Sequence, residues 1–204
     1  VISAGGDYSQ EGGAIYRGDT LVIAPAVISA GFELKAGTKH VADSAFTSSK
    51  MAAGATQLTL PATLKTIGKN AFKGLNVQSV AIPSGVEEIA SGAFAQTAIT
   101  AININKEIKV IGANAFFGCE RLESGSLLEE IGSRAFDGCI SLTAITLPDG
   151  AKTMGNGVFA NCTALTTATL PSVTSLGAGT FLNAPLLKEV TFGADATTTG
   201  EETF

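Results

Sequence analysis

The stretch Ile131-Gly132-Ser133-Arg134-Ala135-Phe136-Asp137-Gly138-Cys139, which runs on to Leu147-Pro148, decides how this chain folds. Its Phe is one of eight that close the same short phrase, at Phe46, Phe72, Phe94, Phe116, Phe136, Phe159, Phe181 and Phe204, with steps of 26, 22, 22, 20, 23, 22 and 23 residues. Self-similarity at a period of this size is the mark of a solenoid. Each unit then buries its apolar edge only against its neighbours, and the stack offers a long continuous surface on which function has to be sought. At 204 residues the chain has room for one or two ordinary domains, but the unbroken repeat makes one elongated domain the expected organisation.

Alignment on Phe exposes the inward positions. Five residues earlier stand Val41, Ile67, Ile89, Ile111, Ile131, Met154, Leu176 and Thr199, apolar in all but the last. Immediately before Phe come Ala45, Ala71, Ala93, Ala115, Ala135, Val158, Thr180 and Thr203, small residues that let a tight turn approach the core. After Phe, the apolar residues Val77, Ile99, Leu122, Leu142, Leu165 and Leu187 lead into a strand. There Val80 and Ile82, Ile102 and Ile104, Ile145 and Leu147, Ala168 and Leu170, and Val190 and Phe192 are spaced two apart, the period of a β-strand. In four repeats this strand ends at proline, Pro61, Pro83, Pro148 and Pro171, because proline has no N–H for the ladder. Helical content is expected to be low, since the Ala-Phe phrase is a turn or two long and Gly74, Gly118 and Gly138 favour a helix stop.

With 45% hydrophobic and 15% charged residues the chain is too apolar for disorder, and no apolar run approaches the roughly 20 residues of a membrane span. A net charge of −5 argues against a nucleic-acid partner, and no basic patch stands out to neutralise a row of phosphates. The first residues, Val1 to Gly13, lack the charged start and apolar core of a secretion signal, so in an exported protein that segment is expected to have been removed. Cys119, Cys139 and Cys162 each follow a repeat Phe by three residues, which predicts free, buried thiols at one inward slot. Parallel side chains on a ladder and the odd count disfavour disulfides.

The phrase as a whole, an Ile-Gly start, an Ala-Phe middle, a Gly-Cys turn and an Ile-Pro end, resembles the BspA-like leucine-rich repeat of bacterial and protist surface proteins over roughly residues 36–204. Asn105 stands where that pattern has proline, Gly125 replaces an inward β residue, and the last two units are enriched in Thr. The resemblance implies a leucine-rich-repeat solenoid of the α/β type, a right-handed, β-rich superhelix with short helical turns. It also implies an extracellular or cell-surface location and a role in adhesion, binding host or matrix protein or glycan. It brings no catalytic residues, cofactor or metal.

Residues 1–35 fit the repeat poorly. Ala14-Ile15-Tyr16 and Leu21-Val22-Ile23 flank Arg17-Gly18-Asp19-Thr20 in the manner of a hairpin, which reads as an amino-terminal cap over the first coil. Residues 36–204 hold the repeats, which are expected either to continue past Phe204 or to be cut short there. An uncovered carboxyl-terminal edge predicts weak self-association. A rigid spacer presenting another domain of a larger surface protein is the alternative role.

Several motifs compete with bland explanations. Arg17, Gly18 and Asp19 spell the integrin-recognition tripeptide, yet Gly-Asp is also ordinary hairpin-turn chemistry. The glycine runs Gly155-Asn156-Gly157 and Gly177-Ala178-Gly179 touch a dinucleotide-loop pattern but fall on the repeat phrase, which explains them. Asn161-Cys162-Thr163 is a glycosylation sequon whose cysteine belongs to the inward column. His40 has no partner at a recognised catalytic spacing and reads as a loop histidine; no hydrolase or zinc motif occurs.

Two faces carry signal. Two residues before the Ile column stand Lys65, Glu87, Lys109, Glu129 and Lys152, a ladder of alternating sign that predicts register control on a solvated face. The other strand presents Gln57 and Thr59, Ser79 and Ala81, Ala101 and Asn103, Ser124 and Ser126, Ala144 and Thr146, Thr167 and Thr169, and Glu189 and Thr191. Of these, Thr59, Ser79, Asn103, Ser126, Thr146, Thr167, Thr169, Glu189 and Thr191 form the candidate binding face. It lacks the Tyr, Trp and Arg of binding hot spots, so broad, weak contact strengthened by multiple copies is expected.

Overall fold

The computed structural model describes residues 7–103, 107–126, 130–147, 149–194 and 200–204. Ile104, Asn105, Glu129, Pro148 and Thr199, which have places in the repeat alignment, lie outside them, as do the side chains of Asn103, Ser124, Gly125 and Ser126. The chain winds as a β-solenoid whose coils add one short strand at a time to each of two ribbons.

The first ribbon contains His40–Val41, Thr66–Ile67, Glu88–Ile89, Val110–Ile111, Glu130–Ile131 and Thr153–Met154, paired in parallel with Val41, Ile67, Ile89, Ile111, Ile131 and Met154 in register. All six of those residues are buried. The second ribbon runs through Gln57–Thr59, Ser79–Ala81, Ala101–Asn103, Ser124–Ser126, Ala144–Thr146, Thr167–Leu170 and Glu189–Phe192. Its first two strands pair with each other, the last five form a continuous parallel sheet, and Thr100 N–H bridges the two groups by donating to Gln78 C=O at 3.1 Å. Leu58, Val80, Ile102, Ile145 and Ala168 point inward, as the period of two predicts.

The Ala-Phe phrase forms the closing wall, and here one expectation is corrected. Among the described residues there is no helix; the phrase is a chain of turns. The residue two before each Phe has positive φ in all eight repeats: Ser44, Asn70, Gly92, Asn114, Arg134, Gly157, Gly179 and Glu202. A left-handed residue at that point prevents a right-handed helix from propagating. The amides look to the next coil instead. Phe46 N–H donates to Ala71 C=O at 2.9 Å, Phe94 to Ala115 at 2.8 Å, Phe136 to Val158 at 2.9 Å and Phe181 to Thr203 at 2.7 Å.

Inside this wall the eight Phe rings form one stack, with centroid separations from 4.7 Å at Phe46–Phe72 to 5.7 Å at Phe181–Phe204. Phe46 through Phe181 are fully buried. The three cysteines are free and buried, as the alignment predicts. Each S–H donates to the Phe carbonyl of the preceding coil: Cys119 to Phe94 at 3.0 Å, Cys139 to Phe116 at 3.3 Å and Cys162 to Phe136 at 3.2 Å. Burial pushes the Cys119 thiol up to about 11, the Cys162 thiol to about 12 and the Cys139 thiol well above the ordinary range.

Coil spacing explains the Ile-Gly phrase. A methyl group at Gly132 would run into the backbone of Ala113, and one at Gly155 into that of Ser133, so glycine there permits close approach of successive coils.

At the amino-terminal end, Ala14–Arg17 and Thr20–Ile23 pair antiparallel around Gly18-Asp19, as the hairpin reading predicts. Tyr8–Glu11 adds a third antiparallel strand, and Thr20–Ile23 pairs in parallel with His40–Val41, so this ribbon is continuous with the first sheet of the solenoid. Buried Tyr16 anchors it, its hydroxyl accepting the Lys35 N–H at 3.0 Å.

Candidate interaction surfaces

Parallel register brings matching residues of the second ribbon into line. Asn103, Ser126, Thr146, Thr169 and Thr191 occupy one rung line, and Ala144, Thr167 and Glu189 the one two residues earlier. Thr59 and Ser79 sit on the first two strands, with Gln57 opposite Ser79 and Thr59 opposite Ala81. Thr59, Ser79, Thr146, Glu189 and Thr191 are exposed, while Thr167 and Thr169 are half-buried. The described outward side chains of this ribbon are small or polar, and Glu189 is the charged one among them, its carboxylate accepting a long hydrogen bond of 3.4 Å from Thr191.

On the first ribbon the charge ladder is partly formed. Lys109 Nζ reaches Glu87 Oε2 at 3.0 Å, and that hydrogen bond holds the Glu87 carboxyl below its ordinary range, helped by the Lys109 charge and, more weakly, by Lys65. The ladder also extends further back than the sequence alignment carried it. Asp19 and Lys39 occupy the same position in the hairpin and the first coil, with Lys39 Nζ 3.2 Å from Asp19 Oδ2, which lowers the Asp19 pKa. Alternation fails at one rung: Lys39 and Lys65 are neighbours, and Lys65 N–H donates to Lys39 C=O at 2.7 Å. Glu129 lies outside the described residues.

The remaining motifs lie on the hairpin, the turns and the first ribbon. Gly18 of the Arg17-Gly18-Asp19 turn has φ +60°, the Arg17 guanidinium lies 6.0 Å from the Tyr8 ring centre, and Asp19 is engaged by Lys39. Gly157 and Gly179 are the left-handed residues of their repeats. In the sequon Cys162 is buried and Asn161 Nδ2 donates to Asp137 Oδ1 at 2.8 Å. His40 lies on a strand of the first ribbon rather than in a loop, its Nδ1 2.8 Å from Thr66 Oγ1. Among the described residues no three His, Cys, Asp or Glu side chains gather as a metal-ligand set, and no helix is long and apolar enough to cross a membrane.

Two features escape the repeat alignment. The first is a cluster on the turn wall: Arg134 lies 5.1 Å from the Phe117 ring centre and donates through Nε to buried Asp137 at 2.6 Å. Asp137 also receives Asn161, which in turn accepts Asn183 Nδ2 at 2.9 Å, so one polar chain ties three coils. Beside it a groove of about 540 Å³ runs past Gln96, Phe117, Arg121 and Ile140. The doubled Phe116-Phe117 and the Arg134/Asp137 spacing of three were the available signals. The second feature is charge segregation. Between Asp43 and Glu87 the chain has four lysines, Lys50, Lys65, Lys69 and Lys73, and no carboxylate, a basic band that the net charge of −5 conceals.

At the carboxyl-terminal edge, Phe181, Ala184, Leu187, Val190, Phe192 and Phe204 line an apolar groove of about 510 Å³.

Comparison with known proteins agrees with the geometry. The model of the BspA type leucine rich repeat region, present in six copies, matches residues 39–131 and 125–204. The structure resembles that of a leucine rich repeat protein from T. pallidum at 26% identity and TM-score 0.67, covering 89% of this chain and 87% of that one. It also resembles a leucine-rich repeat protein from Eubacterium ventriosum at 22% identity and TM-score 0.75, covering 96% of this chain and half (50%) of that one. No curated protein sequence matches the chain. The chain belongs to the BspA type leucine-rich repeat family.

Proposed function

We propose that this chain is a non-enzymatic recognition module, displayed on a cell surface or secreted, that binds extracellular protein or glycan through the outward face of its second ribbon. The observation that carries this reading is the rung line from Asn103 to Thr191, which sets polar residues in backbone register over five coils, with Thr146 and Thr191 exposed. An array of this kind presents many equivalent weak contacts and gains from multiple copies on a cell. The candidate residues on it are Thr59, Ser79, Asn103, Ser126, Thr146, Thr167, Thr169, Glu189 and Thr191. Family membership supports a protein-interaction role. A matrix-protein and glycan array probed with the chain and with the triple variant Thr146→Arg, Thr169→Arg, Thr191→Arg tests it. Binding that survives the triple variant undiminished would overturn the assignment of the face.

The rigid spacer is the second reading, favoured by the unbroken Phe stack that links all coils into one rod. A full-length protein in which another domain carries all the binding would support it. In the same terms, Arg17-Gly18-Asp19 is read as a hairpin turn, and Asp19→Glu is expected to leave cell attachment unchanged. The apolar groove beside Phe204 supports weak self-association between copies, which light scattering up to millimolar protein examines.

A further inference from the structure

We propose that the basic band of the early coils is a docking site for a linear, sulfated or carboxylated polysaccharide. Lys65, Lys69 and Lys73 are exposed along a single coil, and Lys39 lies on the adjacent rung beside Lys65. The flanking acids are accounted for. Asp19 is held by Lys39, the Asp43 carboxylate accepts the Lys69 backbone N–H at 2.7 Å, and Glu87 is drawn chiefly to Lys109 on the far side and more weakly to Lys65. Glu88, exposed on the coil after Thr66, bounds the band. Like charges on adjacent strands work against pairing, and the rest of the ladder avoids them where it is described. A local rule broken at one place, on a face otherwise arranged for stability, is where a ligand is to be sought.

The chemistry selects the class of anion. The band is built of lysines, which act as point charges, and it has no arginine fork for phosphate or base edges. It also lacks exposed aromatic rings for bases to stack on, which a single-stranded nucleic acid would use. Thr63 and Thr66 are exposed on the same coil, Thr63 Oγ1 donating to Thr38 C=O at 2.8 Å and Thr66 Oγ1 2.8 Å from His40 Nδ1, a polar setting suited to a hydrated sugar chain rather than to a lipid interior. Lys65, Lys69 and Lys73 recur every fourth residue of the coil, so their charges follow one another along it in a row that a flexible polyanion can track. This proposal rests on the reading of the chain as an extracellular recognition module, but it uses a different face.

The test is binding to immobilised dextran sulfate, with uncharged dextran as blank. The double variant K65Q/K69Q is compared with K152Q/K188Q, which removes the same charge elsewhere. Affinity is expected to fall steeply with salt, to drop about tenfold in K65Q/K69Q and to change less than about twofold in the control. K73Q alone is expected to lose about threefold, giving an independent reading on the same coil. Thermal melts establish that the variants fold. The proposal is overturned by no binding at low salt, by equal losses in both doubles, or by tighter binding to single-stranded DNA or phosphatidylserine vesicles than to dextran sulfate. Loss of matrix binding in the threonine-face variant, with no dextran sulfate binding by the parent chain, would sink this proposal and leave the broader function standing.

Discussion

Phe116→Ala probes the stack most directly. The ring is 0% exposed and lies 5.6 Å from Phe94 and 5.1 Å from Phe136, so truncation removes a packed side chain and two ring contacts. Removing a buried Phe from a core costs about 3–5 kcal/mol, of which each aromatic pair accounts for about 0.5–1.5 kcal/mol. For a chain of this length 1 kcal/mol moves Tm by roughly 2–4 °C, so a fall of about 6–20 °C is expected. Thr146→Ala, at an exposed position, is expected to stay within about 0.5 kcal/mol. Phe204 is 68% exposed and touches one ring, Phe181, so Phe204→Ala should fall between the two. Thermal melts followed by far-ultraviolet circular dichroism order the three. Equal, small shifts for Phe116→Ala and Thr146→Ala would refute the claim that the Phe column holds the coils together.

Other perturbations read other columns. The three thiols are expected to resist a soluble disulfide reagent at neutral pH and to react fully in denaturant, since the thiolate is the reactive form and burial raises all three pKa values. Because these folded pKa values lie above the unfolded ones, their contribution to stability is complete below about pH 9 and is lost as pH rises toward 11–12; a triple Cys→Ala variant should lack that alkaline fall. Asp137→Ala strips Arg134 and Asn161 of their shared acceptor and is expected to cost about 1.5–3 kcal/mol in urea unfolding, with Asp137→Asn milder. Glu87→Lys sets four lysines in a row, Lys39, Lys65, the new one and Lys109, so it should lower Tm at low salt and lose that effect as salt is added.

The inward columns were legible because burial constrains them in every coil. Ile at one position, Ala and Phe at two others and Cys at a fourth recur in the sequence because each must fit the coil above and the coil below. The left-handed position was harder to see. Asn70, Asn114 and the glycines at 92, 157 and 179 suit positive φ, but Ser44, Arg134 and Glu202 adopt it too, so the column does not stand out by residue type. That is why short helical turns were expected where turns without a helix occur. Tyr8–Glu11 was missed because all four residues are exposed and show no alternation. Surface features are legible only when their spacing matches the coil: the Lys109–Glu87 pair did, whereas the Phe117–Arg134–Asp137 cluster combines different positions of neighbouring repeats. The basic band is visible only when charge is counted coil by coil.

The same geometry makes the two candidate faces separable. Backbone amides around each Phe bond to the next coil, and the rings carry the packing, so outward side chains contribute little to cohesion and are free to differ. Lys65 and Thr169 are about five coils apart, on the order of 24 Å along the stack. Substitutions so far apart, with no shared partner, are expected to add within about 0.5 kcal/mol. Combining K65Q/K69Q with the triple threonine variant should therefore give stability and binding losses equal to the sum of the separate ones. A marked departure from additivity in urea unfolding would mean that the coils transmit changes along the rod, and neither face could then be treated as a site of its own.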